Sequence, residues 1–236
     1  FFEPHPYKVR SESVLSIIRC SDKYKVEYLH RRALAHLLAY DFPTTLSGYD
    51  GDNSSTDFGW FLGNPASRAC IAAVQLARQV NVLWVLPVAF HRLATTDKET
   101  IQKILHCTNF KGHPTKLGGN DQIVFLTCSI LLTRLELNAV SFLHSADSNP
   151  NCAGSTKCTA ALYDYMASVG GPVPLKLCDS AGIWPDLSDN CCDKCYRSLK
   201  AAHAVARQEI WNELPGVCGL PPWPELEKTK ADALKG

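Results

Sequence analysis

The sequence predicts an all-α protein, and three observations carry that reading. Apolar residues recur at spacings of three and four along most of the chain, which puts them on one side of a helix. The interruptions are short and fall on Pro, Gly, Asp, Asn and Ser, the residues that cap or stop helices. No stretch alternates apolar and polar residues between proper hairpin turns, as strands require. No repeat at solenoid periods is visible either.

Taken in order, residues 1–10 contain two prolines and read as extended. A short helix follows over 11–20, with Val14, Leu15, Ile17 and Ile18 as its buried side. Ser21 and Asp22 interrupt it, and a second helix over 23–40 buries Val26, Leu29, Ala33 and Leu37. The cluster His30-Arg31-Arg32 lies off that face and reads as solvated surface rather than a phosphate site. Residues 42–64, rich in Gly, Ser, Asp and Asn, read as a loop and the best candidate for a mobile segment. Asp50, Asp52 and Ser54 have the spacing of calcium ligands. The required glycine and glutamate are replaced by Ser55 and Phe61, which excludes a calcium loop.

Pro65 suits the first turn of a helix over 65–80, where its missing N–H is harmless. A helix over 82–93 is expected to kink or break at Pro87, and one over 97–107 to start on Asp97 as cap. The turn Lys111 to Lys116 leads into the most apolar region, a buried helix over 120–143. From Ser145 the composition shifts to Cys, Gly, Pro and Asp, with a brief helix over 159–168. A long helix follows over 189–214, capped by Asp189 or Asn190. Its stripe is Cys195, Leu199, Ala202, Ala206, Ile210 and Leu214, and Pro215 ends it. A last helix starts near Pro224 and places Leu226 and Leu234 on its apolar side.

The chain has 236 residues, enough for one large domain or two small ones. Its 46% hydrophobic and 20% charged residues are those of an ordinary soluble protein. A net charge of +1 excludes a large electrostatic footprint on nucleic acid, so no nucleic-acid partner is expected. The longest apolar stretch is broken by Thr127, Ser129, Thr133 and Arg134. It falls short of the ~20 apolar residues that span a bilayer, so no membrane partner is expected. Eleven cysteines, an odd number, with no visible secretory signal, predict reduced thiols in an intracellular chain of the cytoplasm or nucleus. The chain begins at Phe1 rather than Met, so the missing targeting segment carries little weight. The sequon Asn53-Ser54-Ser55 reads as chance.

Four of the cysteines form two short-range pairs, Cys152 with Cys158 and Cys192 with Cys195. A four-sulfur zinc site needs two such pairs, each turning the backbone toward the ion. Cys192-x-x-Cys195 is the usual knuckle spacing, whereas the Cys152 to Cys158 spacing is looser. Cys191 and Cys178 compete for a place in the set. His203 lies eight residues past Cys195, ~12 Å along a helix and too far to share the ion. Cys20, Cys70, Cys107, Cys128 and Cys218 stand singly and read as core. One structural zinc is the cofactor expected, organising a region with few large apolar side chains. No zinc-protease, deaminase, nucleophile-elbow, phosphate-loop or dinucleotide motif is present.

The residues Cys192, Cys195, Leu199, Ala202-His203, Ala206-Arg207-Gln208, Trp211, Leu214-Pro215 and Gly219-Leu-Pro-Pro-Trp-Pro-Glu-Leu-Glu resemble the C-terminal region of BTB/POZ-domain proteins of mushroom-forming fungi. Gly112-His113-Pro114-Thr115-Lys116-Leu117 with Asp121 is similar to the middle of that family. Lys23-Tyr24-Lys25-Val26 with Leu29, Ala33 and Leu37 resembles the last helices of a BTB/POZ domain. With the resemblance added to the cysteine reading, the chain is expected in three regions: BTB/POZ-like helices over 1–46, a helical middle over 47–144, and a zinc-stapled region over 145–236. The resemblance implies a non-catalytic adaptor or scaffold that binds another protein, of a family whose members often serve ubiquitin-ligase assembly or transcription. Two departures accompany it. The strand-containing part that carries the family's dimer interface does not precede Phe1, which leaves oligomeric state open, and Cys191 stands where an apolar residue is expected. The competing reading is an enzyme with a Cys/His site assembled in space.

Overall fold

The computed structural model describes residues 9, 11–40, 42–53, 66–94, 98–110, 112–139, 152, 155–169 and 184–235. The sequence expectations for residues 1–8, for Pro65 and Asp97, for 54–64 and for Cys178 lie outside them. Among the described residues the protein is all-α apart from one short hairpin. The helices are α1 (Ser11–Tyr24), α2 (Glu27–Tyr40), α3 (Leu46–Asn53), α4 (Ala66–Gln79), α5 (Leu86–Ala94) and α6 (Lys98–Leu105). After the hairpin come α7 (Gly119–Ala139), α8 (Ser155–Val169), α9 (Trp184–Asn190), α10 (Asp193–Val217) and α11 (Trp223–Leu234). A 3-10 turn, Leu83–Val85, leads directly into α5.

The chain divides into two compact units: 1–129 with 213–236, and 130–212. The three regions expected from sequence, 1–46, 47–144 and 145–236, do not coincide with these. Helix α11 packs on α2 and on the turn at 83–85, so the end of the chain joins its beginning.

In the first unit α4 is the central element, packing against α1, α5, α6 and the hairpin. Its sequence explains this position. Ala69, Ala72, Ala73 and Ala77 are buried beside Ile71, Val74 and Leu76, and small side chains allow neighbours to approach from several sides. Helix α5 is buried on nearly all faces, through Leu86, Val88, Ala89, Phe90 and Leu93. Pro87 does not kink a helix there. It occupies the first turn of α5, where no intrahelical N–H is needed.

Several boundaries differ from the sequence expectation. Ser21 and Asp22 do not interrupt α1. The Ser21 hydroxyl donates to the Ile18 carbonyl at 3.1 Å and so stays within the helix. The break falls at Lys25, whose φ of 54° turns the chain, while the Val26 N–H closes on the Ser21 carbonyl at 2.9 Å. Val26, expected in the core, is therefore exposed, whereas Ala33 and Leu37 are buried as expected. Helix α3 replaces part of the expected loop, and Thr45 Oγ1 accepts the Gly48 N–H at 3.1 Å near its start. Helix α7 buries one stripe, Phe125, Cys128 and Leu132, but exposes another, Ile123, Leu126 and Ile130. It is a two-sided helix rather than a wholly buried one.

The hairpin pairs Thr108–Phe110 with His113–Thr115 and was not expected. Its turn rests on Gly112, at φ +85°, whose N–H donates to Asn109 Oδ1 at 2.7 Å. Arg78 on α4 then holds Asp121 in the first turn of α7, with Nε and Nη2 at 3.1 and 2.9 Å from Oδ1.

A buried histidine gives this unit a pH dependence. His91 is fully buried on α5, with Nδ1 at 3.3 Å from the Tyr49 hydroxyl and no hydrogen-bond partner for Nε2 among the described residues. Burial, reinforced by the Arg92 charge, lowers its pKa from 6.5 to about 4. The neutral ring is the folded form, so the unfolded chain binds the extra proton between these values. Stability is therefore retained above pH 6.5 and declines as pH falls toward about 4. Urea unfolding at pH 5 is expected to give a free energy about 2 kcal/mol below that at pH 7. A His91→Gln chain should lose that pH difference; an unchanged slope would contradict the assignment.

Candidate metal centre

Among the described residues, one buried cluster of the second unit is as rich in sulfur as in leucine. The cluster is Cys158, Leu162, Leu187, Cys191, Cys195 and Leu199, with half-buried Cys152, Trp184, Cys192 and Tyr196 packed against it. Two helix starts supply two of the cysteines. Cys158 sits in the first turn of α8 and Cys195 in the first turn of α10, where the positive ends of the helices favour thiolate. Cys152 and Cys192 lie in the non-helical residues just before each start.

The four sulfurs of Cys152, Cys158, Cys192 and Cys195 all lie within 4.8 Å of one another. The Cys152 and Cys192 sulfurs are 3.9 Å apart. A tetrahedral zinc with bonds of about 2.3 Å would place its sulfurs about 3.8 Å apart, so this spacing fits the ion. The Cys192 backbone N–H donates to Cys158 Sγ at 3.2 Å, an interaction that favours negative charge on that sulfur. Among the described residues this is the one group of three or more His, Cys, Asp or Glu side chains with metal-binding spacing.

With no cation bound, burial favours the protonated thiols. Burial raises the thiol pKa of Cys158, against the lowering effect of the Cys192 N–H. Burial also holds Cys195 far above the ordinary thiol range, helped by hydrogen bonds with the Cys152 and Cys192 thiols. Several thiolates cannot share so small a volume uncompensated, and a divalent metal that displaces their protons removes the conflict.

Cys191 does not replace Cys192. Its thiol is buried in the same cluster and lies against Cys158, but it stands outside the four-sulfur set. Burial, then the charge of Cys158, pushes its pKa up to about 11. The backbone explains the choice. Cys191 still closes on α9, its N–H donating to the Leu187 carbonyl at 2.9 Å, whereas Cys192 is the pivot between α9 and α10. Helix α9 itself was not expected. Asp189 and Asn190 are its last residues and not the cap of α10. Lys157 fastens α8 to it, donating to the Asp189 carbonyl at 3.2 Å. His203 packs edge-on against Trp184 at 5.2 Å between centroids and belongs to an aromatic group with Tyr196, over which Lys200 lies.

The cysteines expected as isolated core residues separate into three kinds. Cys70 is buried; Cys20 and Cys107 are exposed. Cys128 and Cys218 are buried side by side in the first unit, with sulfurs 3.2 Å apart. The partner's hydrogen bond, then burial, holds the Cys218 thiol well above its ordinary value. Ninety residues separate the two, so no spacing rule could have paired them.

No helix of the described residues is long and apolar enough to cross a membrane. The hollow between the α1–α2 turn and the end of α11 is lined by charges of both signs, among them Asp22, Lys25, Glu27, Arg31 and Lys235. It presents no single-sign field to an anion or a cation. The chain matches no protein-family model, no curated protein and no solved structure.

Proposed function

We propose that the chain is a non-catalytic, zinc-stapled protein-interaction module, an adaptor or scaffold of BTB/POZ type. The observation that carries this is the set of four sulfurs from Cys152, Cys158, Cys192 and Cys195. Four protein thiolates fill a tetrahedral shell and leave no position for substrate or water, the arrangement of structural rather than catalytic zinc. Zinc is favoured over other divalent ions because an all-sulfur tetrahedral site with no oxygen ligand suits a soft, four-coordinate metal. Reduced thiols serving as ligands fit an intracellular setting, cytoplasm or nucleus.

The adaptor role rests on two further features. The C-terminal residues from Cys192 to Glu227 carry the resemblance to BTB/POZ-domain proteins, whose shared part binds other proteins. The exposed stripe Ile123, Leu126 and Ile130 repeats at helical spacing, as a helix-docking face does. The enzyme reading draws less support. The clustered cysteines face one another, and the buried His91 faces Tyr49.

Native mass spectrometry tests the metal and the role together. One zinc per chain is expected, lost on chelation along with part of the helical circular dichroism. Co-purification from cell extract should then recover a protein partner with the native chain that an Ile123→Glu, Leu126→Glu chain fails to retain. A chain without metal, or identical partner sets from both chains, would overturn the proposal.

A further inference from the structure

We propose that Cys128 and Cys218 form a two-electron redox pair that a peroxide closes into a disulfide, enclosing the unit at 130–212 in a covalent ring. The inference stands apart from the metal centre and rests on different residues. The two sulfurs are 3.2 Å apart and both side chains are buried. Disulfide sulfurs sit about 2.05 Å apart, so closure needs a movement of about 1 Å.

Both thiols are held in place. Cys128 lies on the buried stripe of α7, and its sulfur also points at the Val217 carbonyl at 3.6 Å. Cys218 follows the last turn of α10, its N–H shared between the Leu214 and Pro215 carbonyls at 3.3 and 3.0 Å. Gly219, at φ +65°, then turns the chain, and the Leu220 N–H returns to the Pro215 carbonyl at 2.9 Å. A second metal site does not account for the pair. The separation is shorter than the edge of about 3.8 Å that a tetrahedral zinc imposes. Among the described residues the pair also belongs to no group of three or more metal-binding side chains.

The chemistry balances with a peroxide as oxidant. One sulfur attacks a peroxide oxygen, the O–O bond breaks, and a water leaves as sulfenic acid forms. The second sulfur attacks that sulfenic sulfur, the S–S bond forms, the S–O bond breaks and a second water leaves. The thiol hydrogens end in the two waters, the sulfurs together lose two electrons, and the peroxide gains them.

The position gives the bond its consequence. Helix α7 leaves the first unit just beyond Cys128, and α10 returns to it just before Cys218. Every residue of the second unit lies between the two cysteines in sequence. The bond would fix the outgoing and returning chains to each other at their entry to the first unit, whatever the metal centre does.

The test treats the full zinc-loaded chain with hydrogen peroxide, alkylates remaining thiols and digests with trypsin without reductant. Peptides 117–134 and 208–228 each carry one cysteine. They are expected as a single cross-linked species that reductant separates, and the oxidised chain should melt at a higher temperature. Cys218→Ala should abolish both effects, with Cys128→Ala as the second variant if the first does not fold. The exposed Cys20 and Cys107 report that oxidant was sufficient. Separate recovery of the two alkylated peptides once those residues are oxidised would overturn the proposal, as would either cysteine joined elsewhere.

Discussion

Replacing Cys192 by Ser is expected to unfold the second unit, whereas the same change at Cys218 leaves both units folded. A structural zinc contributes ~10–16 kcal/mol of apparent binding free energy, and a neutral serine hydroxyl is a poor substitute for a thiolate. Cys192 also lies in the two-residue link between α9 and α10, so the change falls on the candidate ligand and on the link together. The hydrocarbon that remains around the site is small. Among the described residues, Leu162, Leu187 and Leu199 are its fully buried aliphatic residues, worth about 1.5–3 kcal/mol each. That cannot replace the metal against the entropy of ordering three helices, at about 1–2 kcal/mol per residue for the backbone alone. Cys218→Ser differs in kind. It keeps a small hydrogen-bonding side chain beside Cys128, and its cost is expected at about 1–2 kcal/mol. Unfolding followed by circular dichroism, with released zinc titrated by a chromogenic chelator, compares the two. Equal losses would remove the metal from its structural role.

The clustering of Cys152, Cys158, Cys192 and Cys195 was legible in the sequence because its logic is local. Each pair spans one helix start, and a spacing within one or two turns already restricts where two sulfurs can point. The stripe of α10 was legible for the same reason, and Cys195, Leu199, Ile210 and Leu214 are all buried. Other features depend on distance or on too few residues. The hairpin has strands of three residues each, too short to display an alternation, and its signal lay in Asn109 and Gly112. Helix α9 has one buried apolar residue with a described side chain, Leu187, so no stripe announces it, and its terminal Asp189 and Asn190 mimic a cap for α10. The choice between Cys191 and Cys192 turns on where the backbone bonding of α9 stops, a boundary that composition does not specify. The Cys128–Cys218 pair and the joining of α11 to α2 are tertiary facts, made by residues far apart in the chain.

Truncating Phe90 to Ala should leave the first unit close to the edge of folding while the metal centre keeps its ion. Phe90 is fully buried on α5, a helix enclosed on nearly every face, so neighbouring helices cannot collapse into the space without moving α4 or the turn that carries Trp84. Such a cavity costs about 3–5 kcal/mol. That is a large share of the 5–15 kcal/mol by which a domain is usually stable. The four cysteines proposed to hold the metal, by contrast, all lie between 152 and 195, inside the second unit. The expected result is an early urea transition for the first unit with one zinc still bound per chain. Exposed Tyr163 provides the control, since its replacement by Ala should shift stability by less than about 0.5 kcal/mol. If Phe90→Ala released the zinc at the same urea concentration that unfolds the first unit, the two units would be one cooperative body. The metal would then be stabilising the whole chain rather than the segment that binds it.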